Sequence, residues 1–126
     1  LIMTEVETLE LLVVWGANSI TAFTIYISFT FAYLVTAFVA GQRLTQFQAV
    51  VASGFYALAA GMSVLAEVLW LQGMAAIDEA NPSVVSDLTL LNGNFWVIGM
   101  ATILSSGIFI SLYFMWRIRR SKTQRP

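Results

Sequence analysis

Residues 44–66 read LTQFQAVVASGFYALAAGMSVLA, a run of 23 residues between Arg43 and Glu67 that contains no charged side chain. An α-helix needs about 20 apolar residues to cross the hydrocarbon core of a bilayer. Two further uncharged runs, residues 11–42 and 88–116, flank this one. Backbone polar groups inside a bilayer must be satisfied within the protein, and the alternating pattern of a barrel is missing. The three runs therefore predict three membrane-spanning helices.

The composition of the chain agrees with this prediction. Of its 126 residues, 59% are hydrophobic and 10% are charged, and the mean hydropathy is +0.81. A soluble domain is about 45–50% apolar and about 25% charged. We expect one all-α transmembrane domain over residues 1–126, with spans at about 15–40, 46–71 and 95–116 and a basic tail at 117–126.

Tryptophan residues lie at the ends of the predicted spans. Indole rings favour the headgroup level of a bilayer, so tryptophans at span ends act as interface anchors. The predicted membrane-interface anchors are Trp15, Trp70, Trp96 and Trp116.

Positive charge is confined to one side of the predicted topology. Every Lys or Arg residue follows either the first or the third span: Arg43, Arg117, Arg119, Arg120, Lys122 and Arg125. The positive-inside rule places these residues in the cytoplasm and the N-terminus outside. The first span lacks a preceding positive region and is too long for a signal peptide, so we expect an uncleaved anchor. The expected location is the inner (plasma) membrane of a bacterium.

Two outer segments carry weaker signals. Residues 4–14 alternate acidic and apolar residues, and either extend the first helix outward or lie on the membrane surface. In the outer connection, Asn81 suits a helix cap and Pro82 a first helical position. A short amphipathic helix on the membrane or on a partner is predicted there, with Val84, Leu88 and Leu91 on one side.

Small and hydroxyl residues mark the predicted contact faces, because helices in lipid associate through close packing and hydrogen bonds. The second helix carries a small-residue ladder, which consists of Ala49, Ser53, Ala57 and Gly61. It also carries a second seam, which consists of Ala49, Ser53, Tyr56, Ala60, Ser63, Glu67 and Trp70. The first helix carries two lines of hydroxyl residues. The residues predicted for helix packing or partner contact are Ala49, Ser53, Ala57, Gly61, Ser63, Glu67, Gly99, Thr102 and Ser106. The two hydroxyl lines are Thr21, Thr24 and Ser28, and Tyr26, Thr30 and Tyr33. These faces either pack the three helices together or exceed what three helices can bury, in which case a partner covers the excess.

Glu67 is the one ionisable residue inside a predicted span, and intramembrane acids are costly. It lies about 4.5 Å along the helix axis from Trp70. Three interpretations remain open: a solvated or hydrogen-bonded interfacial acid, a docking contact to a partner's Arg or Lys, and a site that handles ions or protons. Asn18 is expected at a similar depth and is a candidate hydrogen-bond partner of Glu67.

Several classes of function lack the residues that they need. The chain contains no Cys and no His, and its single lysine, Lys122, lies in the polar tail. Disulfides, Cys/His metal sites and a Ser/His/Asp triad are therefore excluded. We expect no catalytic residues, no metal site and no nucleic-acid binding. No cofactor is expected either; the alternative is a lipid, pigment or quinone held by packing among aromatic side chains.

The expected function is that of a non-catalytic accessory subunit that packs against other transmembrane chains in a homo- or hetero-oligomer, surrounded by membrane lipid. The alternative is a homo-oligomeric ion channel or small transporter, with Glu67 near the outer mouth. A signalling protein whose short basic tail is read by a soluble partner ranks third.

Overall fold

A computed structural model describes residues 3–80 and 93–123. These residues form three helices: α1 (Glu5–Ala40), α2 (Gln46–Ala80) and α3 (Gly93–Thr123). Each helix is long and apolar enough to cross a membrane. The predicted all-α chain with three candidate spans is thereby confirmed. The amphipathic helix predicted around Val84, Leu88 and Leu91 lies outside the described residues.

The helices are longer than the predicted spans. α1 begins at Glu5, so residues 5–14 continue the first helix beyond the predicted span, as in one of the two predicted alternatives. α3 continues to Thr123, so residues 117–123 of the predicted basic tail are helical. With 36 residues, α1 is about 54 Å long at 1.5 Å per residue, against about 30 Å of hydrocarbon. Hydropathy marks the part of a helix that lipid can surround, whereas backbone hydrogen bonding continues past it.

Side-chain caps begin two of the helices. At the start of α1, Thr4 Oγ1 accepts a hydrogen bond from the Glu7 backbone N–H, and the Thr4 N–H donates to Glu7 Oε2. Thr45 and Gln48 make the same reciprocal pair at the start of α2. Each pair satisfies a donor that the first helical turn would leave unbonded. The second of these capping boxes lies where the turn at residues 41–45 ends and α2 begins.

Hydrogen bonds between the helices define how they align. Ser19 of α1 bonds Glu67 of α2, and Thr30 of α1 bonds Tyr56 of α2. The second pair lies later in α1 and earlier in α2 by the same number of residues. The two helices are therefore antiparallel with an unbroken register. α3 runs parallel to α1. Tyr26 bonds Leu104 and Gly41 bonds Arg119, and the two residues of each pair are 78 positions apart in the sequence.

The core lies where all three helices meet. α2 packs against both α1 and α3, and α1 also contacts α3. Tyrosine and alanine dominate this core, because the small alanine side chains leave room for the large rings. Its buried members are Tyr26, Tyr33, Ala37, Tyr56, Ala60, Val64, Leu104 and Met115.

Candidate functional site

A buried carboxyl group lies between α1 and α2. Glu67 is 3% exposed, and the Ser19 hydroxyl donates a 2.7 Å hydrogen bond to its Oε1 atom. The Oε2 atom is buried and has no hydrogen-bond partner among the described residues. The predicted partner, Asn18, is wrong by one position. Neighbouring residues of an α-helix point about 100° apart, so Ser19 faces α2 while Asn18 lines a groove beside it.

Two tryptophan rings, one from α1 and one from α2, pack against each other near this carboxyl group. The Trp15 and Trp70 rings meet edge to face, with centroids 4.8 Å apart. Gly73 makes this possible, because a Cβ atom there would overlap the Trp15 ring. Both tryptophans are half-buried and pack the end of the bundle, whereas their role as interface anchors stays a prediction. Trp96 and Trp116 are about half exposed.

Tyrosine hydroxyls form a second polar cluster in the core. The Tyr33 and Tyr56 rings stack with centroids 4.1 Å apart. Tyr33 Oη lies 2.7 Å from Ser53 Oγ, and Tyr56 Oη lies 3.1 Å from Thr30 Oγ1. These contacts join α1 to α2 at two adjacent levels, so one of the two predicted hydroxyl lines of α1 serves packing within the chain.

The other hydroxyl line of α1 faces outward. Thr21, Thr24 and Ser28 are exposed, and each hydroxyl donates to the backbone carbonyl four residues earlier. A hydroxyl satisfied by its own helix can face lipid or a neighbouring helix without an unbonded polar group. This line makes no contribution to the core of the single chain.

The two predicted faces of α2 have different environments. Ala49, Ser63 and Glu67 of the seam are buried, and Ser53 is half-buried. The ladder shares Ala49 and Ser53 with the seam, whereas its other two residues lie at the edge of the core. Ala57 and Gly61 are half-buried, and a Cβ atom added at Gly61 would meet nothing within 4 Å.

The predicted face of α3 lies outside the core. Thr102 and Ser106 are exposed, and their hydroxyls donate to carbonyls of α3 itself. Gly99 is half-buried, and a Cβ atom there would also meet nothing within 4 Å. The structure thus brings the seam of α2 into the bundle. Among the described residues, Gly61 and Gly99 have open space where a Cβ atom would lie, and Thr102 and Ser106 are exposed.

One polar contact was missed by the sequence analysis, which interpreted the basic residues after the third span as a topology signal. Arg119 Nη1 donates to the Leu44 carbonyl at 2.7 Å and to the Gly41 carbonyl at 3.3 Å. The last carbonyls of a helix lack intrahelical partners, and its C-terminus favours positive charge. Arg119 therefore caps the end of α1 from α3. Only the three-dimensional proximity of these segments reveals this role.

The described residues hold no group of three or more acidic, His or Cys side chains that could bind a metal ion. A groove of about 540 Å³ lies between α2 and α3 and is lined by Val50, Leu112 and Met115 together with two arginines. A smaller groove of about 300 Å³ lies between α1 and α2 and is lined by Asn18, Thr21 and Met62 among others.

No protein-family model matches the chain, and no curated protein or solved structure is significantly similar to it.

Proposed function

We propose that this chain is a non-catalytic subunit of a membrane complex and that it packs against transmembrane helices of other chains. One observation carries the proposal. Small residues of the type that brings helices together in lipid lie at Gly99, Thr102 and Ser106, yet the three-helix core does not use them.

The low burial of α3 supports this choice of face. In the most apolar stretch of α3, 11% of the residues are buried, against 28% for α2. The face that contains Gly99 also carries exposed large side chains four residues before and after it, Phe95 and Ile103. A glycine between bulky side chains forms a notch into which a side chain of a facing helix can fit. A partner helix on this face would bury surface that otherwise contacts only lipid.

A catalytic role has little support from the residues. Glu67 is a single buried acid whose described partner is one serine. General acid–base catalysis requires a group that can reach a substrate. The remaining acidic residues of the described ranges, such as Glu7, lie near the helix ends. We therefore propose an interaction role and no reaction.

A channel built from copies of the chain would require the Glu67 carboxyl group to line an aqueous passage. The side chain instead lies between α1 and α2 of one chain and is 3% exposed. This burial favours the subunit over the channel. Proton flux through liposomes containing the protein, compared with its Glu67→Gln variant, separates the two functions. A Glu67-dependent flux would contradict the proposal.

We further propose that the α1–α2 turn and the end of α3 lie in the cytoplasm, and that the host membrane is a bacterial inner membrane. The basic residues support this orientation, because Arg43 in the turn and Arg117, Arg119 and Arg120 on α3 lie at one end of the bundle. The described acidic residues outside the core lie toward the other end.

The proposal is tested by measuring the native mass of the protein extracted from its own membrane in a mild detergent. We expect an assembly heavier than one chain. Its mass distinguishes an assembly with other subunits from an assembly of copies of this chain. Gly99→Leu should release the partner, because the leucine fills the notch. Gly54→Leu is the matched control, since Gly54 on α2 also has open space around it.

The chain should stay folded in both variants, which circular dichroism checks, because a Cβ atom at either position meets nothing within 4 Å among the described residues. A wild-type protein that is a monomer and co-purifies with no other chain would refute the proposal. Equal loss of the partner in both variants would exclude the α3 face.

A further inference from the structure

The groove between α2 and α3 lies at the end of the bundle where the α1–α2 turn is found. Its apolar wall includes Val50 from α2 and Leu112 and Met115 from α3. Arg119 and Arg120 also line it. From Gln46 to Ser53, both of which line the groove, α2 advances about 10 Å along its axis. The groove therefore combines a basic end with an apolar channel that runs toward the centre of the bundle.

The basic end of this groove has no acidic residue to balance its charge. Neither residues 11–66 nor residues 88–126 contain an Asp or a Glu. Arg119 and Arg120 consequently have no carboxylate side chain from either neighbouring helix at this level. The groove also lies at the N-terminal end of α2, where the helix dipole favours negative charge. An anion from outside the chain would complement the charge of this end.

The two arginines are held in place and keep donors available. Arg119 uses Nη1 for both of its hydrogen bonds to the turn. A guanidinium group has five N–H donors, so its Nε and Nη2 donors remain for another acceptor. The Arg120 guanidinium lies over the Trp116 ring, with its central carbon 3.8 Å from the ring centroid. This cation–π contact orients the charge while its N–H groups can still bind an acceptor.

We propose that this groove binds one molecule of an anionic phospholipid. The phosphate accepts hydrogen bonds from Arg119 and Arg120, and an acyl chain lies along Val50, Leu112 and Met115. Guanidinium groups bind phosphate oxygens through charge-assisted hydrogen bonds, which are stronger than neutral ones. The apolar wall selects a lipid over a free phosphate, because a free anion would leave that wall exposed. The inference does not depend on the identity of a protein partner.

The experiment uses the purified full chain in a neutral detergent and counts bound lipids by native mass spectrometry. Dioleoyl phosphatidylglycerol is titrated against dioleoyl phosphatidylcholine, which has the same acyl chains and no net charge. We expect one phosphatidylglycerol per chain, bound at least about tenfold more tightly than phosphatidylcholine. The soluble headgroup glycerophosphoglycerol should not compete, because it lacks the acyl chains.

Two pairs of variants locate the site. Arg120→Gln should weaken phosphatidylglycerol binding about tenfold, whereas Arg43→Gln removes the same charge from the exposed turn and should leave binding unchanged. Val50→Trp should block the groove. Leu58→Trp is its control, because Leu58 is as exposed as Val50, 65% against 64%, and does not line the groove.

Each alternative outcome would overturn the proposal. Equal weakening by Arg43→Gln and Arg120→Gln would show diffuse attraction to a basic surface. Competition by glycerophosphoglycerol would show an anion site that does not need a lipid. Unchanged binding in both Arg120→Gln and Val50→Trp would place the lipid elsewhere.

Discussion

The hydroxyl of Ser19 donates a 2.7 Å hydrogen bond to the Oε1 atom of Glu67, between α1 and α2. This bond is the only one described for the carboxyl group within residues 3–80 and 93–123. It connects the first helix to the second at the end of the bundle where Trp15 packs against Trp70. The contact satisfies one of the two carboxyl oxygens of an acidic residue in a helix that is able to cross a membrane.

Removing this donor should destabilise the bundle. We expect Ser19→Ala to lower the free energy of unfolding by about 1–3 kcal/mol, because it leaves both carboxyl oxygens of a buried group without a partner. Asn18→Ala, one residue away, should change it by less than about 0.5 kcal/mol. Unfolding in mixed detergent micelles, followed by circular dichroism, measures both. A larger loss in Asn18→Ala would mean that the neighbouring residue is the true partner.

The tyrosine cluster should contribute through its hydrogen bonds. Tyr56→Phe removes the contact to Thr30 and keeps the ring that stacks on Tyr33. Hydrogen bonds between membrane helices average about 0.6 kcal/mol, so we expect a loss of that size. Tyr113→Phe is the control, because Tyr113 is 56% exposed. A double-mutant cycle with Thr30→Val isolates the pair, and a coupling near zero would contradict the expectation.

Two glycines of α2 should respond in opposite ways to alanine. Gly73→Ala should lower the free energy of unfolding by about 1–3 kcal/mol, because the new Cβ atom overlaps the Trp15 ring. Gly61→Ala should raise it by about 0.5–1 kcal/mol in the isolated chain, since alanine suits a helix better and meets no neighbour. Thermal unfolding in detergent compares the two. Equal effects would show that Trp15 does not pack on Gly73.

Arg119 should contribute more to the free energy of unfolding than Arg117, which lies two residues earlier on α3. We expect Arg119→Gln to cost about 1–2 kcal/mol, because it removes charge-assisted hydrogen bonds from a half-buried group. Arg117→Gln should cost almost nothing, since Arg117 is exposed. Hydrogen exchange at residues 41–45 should accelerate in the first variant alone. Equal exchange in both variants would argue against a cap.

The orientation can be tested with single cysteines, because the chain contains none. In intact bacterial cells, a membrane-impermeant maleimide should label Glu5→Cys and Glu79→Cys. Gln42→Cys, in the turn, should be labelled only after the membrane is permeabilised. The reason is the basic residues at the turn end, which resist transfer across the membrane. Labelling of Gln42→Cys in intact cells would reverse the proposed orientation.

Some features of the bundle could be predicted from residue type and spacing. The seam of α2 from Ala49 to Glu67 was recognised by its alternating spacing of four and three, which is how side chains on one helix face recur. Its residues are buried or half-buried in the structure. The line Tyr26, Thr30 and Tyr33 was recognised in the same way, and all three of its hydroxyls bond to a neighbouring helix.

Other features depended on which of two similar residues faces inward. Asn18 and Ser19 are adjacent polar residues, and the predicted partner of Glu67 was Asn18 although Ser19 makes the bond. The small residues of α3 at Gly99, Thr102 and Ser106 follow the same spacing rule as the seam, yet they lie outside the core. Spacing identifies a face, whereas the direction of that face depends on how each helix is rotated against its neighbours.

Hydropathy and charge along the chain were sufficient to determine that it consists of helices able to cross a membrane, because transfer into lipid depends on residue type summed over about 20 positions. Only the tertiary structure decided which polar groups meet: Ser19 with Glu67, Tyr33 with Ser53, and Arg119 with the end of α1. These contacts depend on the rotation and register of the helices, and both result from the packing of side chains distant in sequence.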